Sequence, residues 1–422
     1  MSKEYTTRSS TLHRLTTNQD EAWKGYWQSQ GQPWRTEPEI DAQRQRYLAE
    51  RRALEPDIEN GIYPFKDIKL SRADVEWLLA THENGRGPVD WNDQRQRGRE
   101  GIDVRGADLR QVDLSYLPLA RVHAGLDQEA WYKTSKGQRN MAAAWMNSAD
   151  FTGAHLEEAR LRRVHLEDAF LWEAHLEKAD LFSAHLEGTN LYYAHLDGAS
   201  LRLAFLDAAT YLKGASLGNK KLGYVSLADI RWGNSNLAVV KWSQLGMLGE
   251  EEKACQKGRD GKRKDLATQL HEYEEAVRAN RQLAVVLQGQ GLNEHAAYFA
   301  YRAQNLQRVV LRHQRKFVGY LFSGMLDLLA GYGYRPGRSV LWYVLIIFGF
   351  TVAYFAVGHL PFLPDALVFS LTSFHGRGFF PGLGSEASLH NPLIVMAAVE
   401  AVLGLFIEIS FIATFTKRFY NS

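Results

Sequence analysis

The chain has 422 residues, a formal net charge of +2 and a single cysteine, Cys255. That length gives room for roughly two to four domains. The near-zero charge argues for no particular partner, no nucleic-acid partner is expected, and one cysteine excludes a disulfide framework and suits a reducing compartment for the soluble part.

Residues 1–100 are polar and hold Trp23, Trp27, Trp34, Trp77 and Trp91. The opening Met1-Ser-Lys-Glu-Tyr5 has no apolar signal core, so no secretion signal is expected. Ile40 to Leu54 reads as a helix rich in Arg, Glu and Ala. Ser71, with Asp74 in the first turn, predicts a second short helix that Gly85 to Pro88 ends. No nucleophile–base pair, phosphate loop or dinucleotide fingerprint occurs here. The expected role of 1–100 is a cytoplasmic helical cap on the domain that follows, because solenoid ends need covering.

From 101 to 248 a five-residue period takes over. Ala154-His-Leu-Glu-Glu158, Ala159-Arg-Leu-Arg-Arg163, Val164-His-Leu-Glu-Asp168 and Ala169-Phe-Leu-Trp-Glu173 show it. Central positions run from Met146 to Tyr211 without slippage, and one extra residue falls near Lys213-Gly214. Further centres are Leu217, Leu222, Leu227, Trp232, Leu237 and Trp242, with early ones at Leu109, Leu114 and Leu119. A period of five fits neither an α-helix nor a flat strand. It fits a square solenoid with one pentapeptide per side, the central apolar residue and the small residue before it pointing inward. About six coils stacked at roughly 4.8 Å make a rod on the order of 28 Å. The insert 122–143, with Trp131, Tyr132, Lys133, Lys136 and Arg139, is expected to project from the rod as a contact site.

A second period overlies the first. His155, His165, His175, His185 and His195 precede a central leucine, and Glu157, Glu167, Glu177, Glu187 and Asp197 follow it. Four sides per coil place His155, His175 and His195 in one column and His165 and His185 in the opposite one. A pH-responsive or metal-binding ladder competes with a solvated surface in which imidazoles offset the repulsion between carboxylates. The second is favoured, because stacked rings would have to tilt together to share one metal, and no tetrahedral set converges. No metal or cofactor is expected. The other faces carry Trp172, Tyr192 and Tyr193 on one side and Arg162, Phe182 and Arg202 on the other, either docking surfaces or ordinary stacking. Ala107-Asp-Leu109, Ala149-Asp-Phe151 and Ala179-Asp-Leu181, together with the long register, resemble the pentapeptide-repeat family, whose pattern is Ala-Asp/Asn-Leu-X-X. The resemblance implies a right-handed quadrilateral β-helix.

Residues 249–334 read as a linker and coupling helices. Gly249 to Lys264 is charged, and Leu266 to Gln288 and Leu292 to Phe317 form a hairpin around Gly289–Gly291, similar to a single tetratricopeptide-like repeat. Phe317 to Leu329 is amphipathic and aromatic, and is expected along a membrane surface.

Residues 335–422 carry the membrane signal. Val340 to Val357 is uncharged, and Leu393 to Thr416 is apolar but for Glu400 and Glu408. A spanning helix needs about 20 apolar residues, so two spans are expected. Arg312, Arg315, Lys316, Arg335 and Arg338 precede the first and Lys417 and Arg418 follow the second, which places both termini in the cytoplasm. Between the spans lie Asp365 to Phe374 and His375-Gly-Arg-Gly-Phe-Phe-Pro381. Ala366–Leu371 looks like a pore helix, and Glu400–Gly404 with Phe411–Phe419 looks like an inner helix and its exit. This part resembles the two-span potassium-channel pore family. The resemblance implies a homotetramer with a re-entrant pore helix, a pore loop at Ser373, Phe374, His375, Gly376, Arg377, Gly378, Phe379 and Phe380, and a hinge at Gly404. The family filter is Thr-Val-Gly-Tyr-Gly, whose carbonyls replace the hydration shell of the ion. Spacing favours Gly378 as its first glycine and the Gly-X-Gly shape favours Gly376. Neither restores the motif, so potassium selectivity does not carry over. Arg377 either pairs with Glu386 or faces the ion path. Glu400, Gly404 and Glu408 fall four apart on one helix stripe, and carboxylates in a membrane helix usually face an interior. They are expected to line the pore as acidic rings, unless one pairs with a neighbouring helix.

Solenoid, coupling helices and pore together resemble a bacterial group of pentapeptide-repeat proteins with a C-terminal ion-channel module. The expected function is a poorly selective cation channel of the inner membrane, gated by its cytoplasmic repeat domain. Its partners would be the lipid bilayer, inorganic ions, three further copies of the chain and an unknown cytoplasmic ligand or protein. The alternative is a non-conducting, membrane-anchored interaction scaffold. A DNA-mimicking rod is disfavoured because this one is not strongly acidic. No catalytic constellation appears, so no enzyme is expected.

Overall fold

The computed structural model describes residues 18–258, 261–358, 362–376 and 392–419. Two compact units divide the chain, Met1–Gln256 and Lys257–Ser422. The first begins with α1 (Asn18–Ser29), α2 (Ala42–Arg52), α3 (Arg72–Ala80) and a single turn, α4 (His82–Gly85). Asp41 caps α2 through the amides of Gln43 and Arg44, and Ser71 and Asp74 form a reciprocal capping box on α3. Glu76 is fully buried and accepts from Arg72 Nε (2.9 Å) and from the amides of Thr36 (2.9 Å) and Glu37 (3.0 Å). The same Arg72 reaches the solenoid through Asp113 Oδ1 (2.9 Å), and the Leu70 amide donates to the Asp108 carbonyl (3.0 Å). The helices therefore sit on the first coil and supply the backbone partners that an open solenoid end lacks.

The coil itself follows from the pentapeptide. Parallel bridges join residues twenty positions apart: His155 to His175, Arg160 to Asp180, His165 to His185 and Phe170 to Asn190. Four pentapeptides thus complete one coil. Ala154, Leu156, Ala159 and Leu161 are buried, as are their equivalents through Leu206. Each corner is a turn in which the amide after the left-handed residue bonds back three positions, as Ala159 N does to Leu156 O (3.1 Å). The residue two after the central leucine has positive φ: Glu158 (55°), Arg163 (61°), Asp168 (58°) and Glu173 (54°). That is the third position of a type II turn. Non-glycine residues there cost on the order of 1 kcal/mol each, and the ladder of inter-coil hydrogen bonds holds them in place.

Three interruptions break the coil, and two fall where the pattern did not put them. Asp108 pairs with Trp145, across an insert that forms α5 (Gln128–Lys133) and α6 (Lys136–Ala142). This insert folds back rather than projecting. Trp131 is buried against Phe182 (ring centroids 5.2 Å apart, edge to face), and Arg139 lies over Trp131. The Arg162–Phe182 face is thereby occupied from within the chain. The one-residue slip lies between Leu206 and Leu212, because Asn190 pairs with Tyr211. Leu212 (3% exposed) fills the central position and Tyr211 (41%) does not. The Asp207 carboxylate absorbs the extra residue by accepting from the amides of Gly188 (2.8 Å), Ala209 (3.0 Å) and Thr210 (3.0 Å). Leu222 is no coil centre: Gly218–Asn219 (β1) and Gly223–Tyr224 (β2) form a small antiparallel hairpin around it. The short helix α7 (Gly249–Cys255) follows the last coil.

The second unit is helical. Asp265 caps α8 (Leu266–Gly289) through the Thr268 amide, and α8 packs on α9 (Asn293–His313) through Ala276, Val277, Leu306 and Val310. Then come α10 (Phe317–Ala330), α11 (Pro336–Gly358), α12 (Leu363–Phe374) and α13 (Pro392–Phe419). α11, α12 and α13 pack on one another around Tyr354, Ala366, Phe369 and Ala397, and around Ile347, Phe374 and Ile407. Most other apolar side chains on α11 and α13, such as Val344, Phe348, Val402 and Leu405, are exposed.

Candidate functional site

Two helical stretches, Gly337–Val357 and Pro392–Thr416, are long and apolar enough to cross a membrane. The short apolar α12 lies against both of them. One stripe of α13 faces α12, and it is the stripe on which Glu400, Gly404 and Glu408 fall. Glu400 and Gly404 meet different parts of α12, and Glu408 lies past its end.

Glu400 is fully buried. Its Oε2 accepts from Tyr354 Oη of α11 (2.7 Å) and its Oε1 from Ser370 Oγ of α12. One carboxyl therefore ties three helices together. The expectation that Glu400 lines a pore is corrected here: a carboxyl enclosed by two hydroxyls of its own chain braces the bundle and has no face left for a lumen. Gly404 is a contact residue as well. A Cβ built on it would come within 2.1 Å of the Phe374 carbonyl oxygen. Only glycine lets the C-terminal end of α12 approach so closely. α13 runs unbroken through Gly404, so its absent side chain serves packing rather than a pre-formed bend. Because α12 ends at Phe374, Glu408 lies one turn beyond its cover. Glu408 is 40% exposed, and its Oε1 is 3.8 Å from His375 Nδ1. It alone of the three remains free to face an aqueous path.

The expected pore loop divides in the same way. Ser373 and Phe374 belong to the end of α12 and are buried, with Phe374 edge-on to Tyr343 (5.0 Å). His375 and Gly376 are exposed just beyond it, and Gly376 takes φ +66° as the helix stops. Arg377, Gly378, Phe379 and Phe380 lie outside the described residues.

Asp327 is a site the pattern did not single out. Its side chain accepts from Tyr301 Oη (3.0 Å) and Arg308 Nη1 (2.9 Å) of α9 and from Arg338 Nη1 (3.2 Å) of α11. Arg338 also donates to the Asp327 carbonyl (2.8 Å). Burial is the largest influence on the Arg308 guanidinium and lowers it, but the hydrogen bond to Asp327 and the nearby Tyr332, Asp327 and Tyr320 together hold Arg308 above its ordinary value. One carboxylate on α10 thus links the helical hairpin to the start of the first apolar helix. The sequence signal was available: Asp327 is the sole charged residue between Lys316 and Arg335. Beside it, a cavity of about 800 Å³ is lined by Arg281, Ala284, Tyr298, Tyr301 and Arg335, among others.

On the solenoid the histidines form two stacks. His155, His175 and His195 lie parallel at 4.7 and 4.8 Å. Trp145, His165, His185 and Phe205 form the other column at 4.1, 4.8 and 4.6 Å. Nδ1 of His155, His165 and His175 each faces the carboxylate two residues on, at 2.9, 2.9 and 3.3 Å. That bond to Glu177 raises His175 above its ordinary value, while partial burial opposes the rise. Burial pushes the Glu167 carboxyl up, and the His165 hydrogen bond and nearby imidazoles bring it below its ordinary value on balance. His155, Glu157 and His175, and likewise His165, Glu167 and His185, bring ligand atoms within 4.8 Å of one another. A metal bound to imidazole lies in the ring plane, and parallel rings at this spacing share no such point. The ladder as arranged is a stacking device with a carboxylate on each rung. On the remaining face, Trp172 and Tyr193 are exposed, with Tyr192 packed between Trp172 and Tyr211.

A coil of twenty residues with small and apolar side chains inward defines a repeat solenoid. Residues 144–181 and 173–207 match the family of pentapeptide repeats, so the chain carries a pentapeptide-repeat domain. Among solved structures, a pentapeptide repeat protein from the Arabidopsis thaliana thylakoid lumen is 23% identical over 30% of this chain and 69% of its own, with a TM-score of 0.18. HetL, a pentapeptide repeat protein involved in heterocyst differentiation regulation in the cyanobacterium Nostoc, is 26% identical over 27% of this chain and 51% of its own, with a TM-score of 0.17. A third, from the cyanobacterium Cyanothece, is 22% identical over 31% and 90%, with a TM-score of 0.15. None of the curated proteins matches the chain. The assignment rests on the family match and on the coil register.

Proposed function

We propose that the chain forms a homotetrameric, poorly selective cation channel in the inner membrane of a bacterium, regulated from the cytoplasm by its pentapeptide-repeat domain. The observation that carries this reading is the short apolar helix α12, packed between two helices of spanning length and ending against Gly404, with a half-buried Glu408 and an exposed His375 just past its end. Two spanning helices enclose no pore alone. Four copies around an axis would bring four Glu408 carboxylates and the negative ends of four α12 dipoles to one place, which raises the local cation concentration. Glu400 and Gly404 would act behind that ring by fixing where α12 ends. The Asp327 junction supports regulation, because a displacement of the hairpin would reach the first span through it.

Reconstituted full-length protein should release potassium and sodium down their gradients faster than chloride, and its detergent-solubilised mass should be that of four chains. A tetramer that passes no ion would favour the non-conducting scaffold. A monomer would remove the pore altogether.

A further inference from the structure

The cavity of about 800 Å³ lies along the α8–α9 hairpin, and its lining changes in character from one end to the other. Arg281 of α8, Gln304 of α9 and Arg335 mark one end. Arg281 Nη2 donates to Gln307 Oε1 of α9 (3.1 Å), and the Arg335 guanidinium lies over the Tyr301 ring at 4.6 Å. Gln288 and Asn293, which flank the hairpin turn, mark the other end together with Glu294. Between them the floor is made of Ala284, Ala296, Ala297 and Ala300, with Tyr298, 40% exposed, beside it. Four alanines on two packed helices leave the space that longer side chains would fill.

Each part of the lining selects a chemistry. Arginine grips a phosphate with paired N–H donors. The bond to Gln307 leaves other donors of the Arg281 fork available. Among the described residues that line the cavity, the one carboxylate, Glu294, stands at the opposite end. It would repel a phosphate there, which fixes the orientation of a ligand. That end offers two carboxamides and a carboxylate, donors and acceptors side by side, and such groups read the polar edge of a nucleobase. Bases also stack on aromatic side chains, and the alanine floor beside Tyr298 has room for a flat ring. The seven residues from Arg281 to Gln288 rise roughly 10 Å, which matches the reach from phosphate to base edge in a nucleoside monophosphate. A largely apolar cavity with a few convergent polar groups is the usual form of a small-molecule site.

We propose that this cavity binds a nucleotide, with its phosphate between Arg281 and Arg335 and its base beside Tyr298, read by Gln288 and Asn293. Two of the lining residues also belong to the Asp327 junction. Tyr301 Oη donates to Asp327 Oδ1 (3.0 Å), and Arg335 immediately precedes α11. A bound nucleotide therefore touches the link between the hairpin and the first apolar helix. The site stands without the channel reading, and its effect on ion flux rests on that reading.

Isothermal titration of the full-length protein in detergent tests the site, with adenosine monophosphate and guanosine monophosphate as probes and adenosine and inorganic phosphate as their fragments. One monophosphate should bind, one molecule per chain, more tightly than either fragment. Arg281→Gln and Arg335→Gln should each weaken it by about tenfold or more. Ala297→Trp, which fills the floor, should abolish binding. Arg278→Gln, at an exposed position on α8 outside the cavity, should leave it unchanged. No binding of either monophosphate, inorganic phosphate binding as tightly as the nucleotide, or affinity unaltered in both arginine variants overturns the site, whether or not Ala297→Trp folds. In vesicles, the nucleotide that binds should alter cation flux through wild type and not through Arg281→Gln. Binding with flux that the nucleotide leaves unaltered overturns the coupling to the junction. Binding without any flux upholds the site and removes the channel reading, whereas flux without binding removes the site alone.

Discussion

The solenoid and the apolar bundle bury side chains by opposite rules. In the solenoid each residue's fate follows from its place in a period of five. Ala174 and Leu176 are fully buried, and the small and central positions from 154 to 206 are buried throughout. In the bundle, Glu400 and Glu408 are the same residue type on the same stripe, yet one is fully buried and the other is 40% exposed. There the deciding fact is where a different helix stops. A repeat encodes its environment locally, and a helix bundle encodes it in the lengths of its neighbours.

The sharpest test of that contrast makes one substitution in both regions. Leu176→Ala should cost about 2–5 kcal/mol of stability, because coils above and below hold the cavity open. Leu405→Ala, at a position 56% exposed on α13, should change thermal unfolding in detergent by less than about 0.5 kcal/mol. Equal effects would mean that the exposed α13 face is covered by protein. Next comes the glycine contact. Gly404→Ala should lower stability by about 1–3 kcal/mol, since its Cβ meets a backbone carbonyl that cannot rotate away. At Gly349, where nothing lies within 4 Å of an added Cβ, the same change should be neutral or slightly stabilising. Removing one of the two donors to Glu400 should cost about 1–3 kcal/mol. In a double-mutant cycle of Tyr354→Phe with Glu400→Gln, coupling near zero would show that the carboxyl does not bind these helices together.

The smallest effect belongs to the histidine ladder. His175 is raised by its bond to Glu177, so its contribution is complete below its unfolded value near 6.5 and is lost as pH rises through the higher native value. The stability difference between wild type and His175→Gln should therefore shrink from pH 5 to pH 8. Solvent screening keeps that change under about 1 kcal/mol. A difference that grows with pH would mean that repulsion between stacked imidazoliums outweighs the carboxylate.

Much of this was legible in the sequence where the rule was local. The repeat core, the Ser71 cap and the helical hairpin follow from periodicity and capping residues. The slip at Asp207–Thr210 was not, because Ala209 and Tyr211 continue the small–apolar pattern by one residue while Thr210 and Leu212 take the true inward places. The seat of Trp131 on Phe182 was not, because nothing in an insert states which face it returns to. Glu400, Gly404 and Glu408 lie on one stripe of α13, but which of them are covered depends on α12 ending at Phe374, a tertiary fact. Asp327 is legible as a lone charge in an apolar segment, but its three partners come from two other helices and carry no mark in the local pattern.

In the proposed channel, Glu408 and not Glu400 would face the ion path. The measurement that tests it most directly is sodium and potassium flux through the reconstituted full chain, compared among wild type, Glu408→Gln and Glu400→Gln at equal amounts of folded tetramer. Loss of several-fold in cation flux for Glu408→Gln, with the cation-to-chloride ratio falling toward one, is the expected result. Glu400→Gln should lower stability while leaving that ratio unchanged. Unaltered flux and ratio in Glu408→Gln, or a ratio that falls only in Glu400→Gln, would contradict the account.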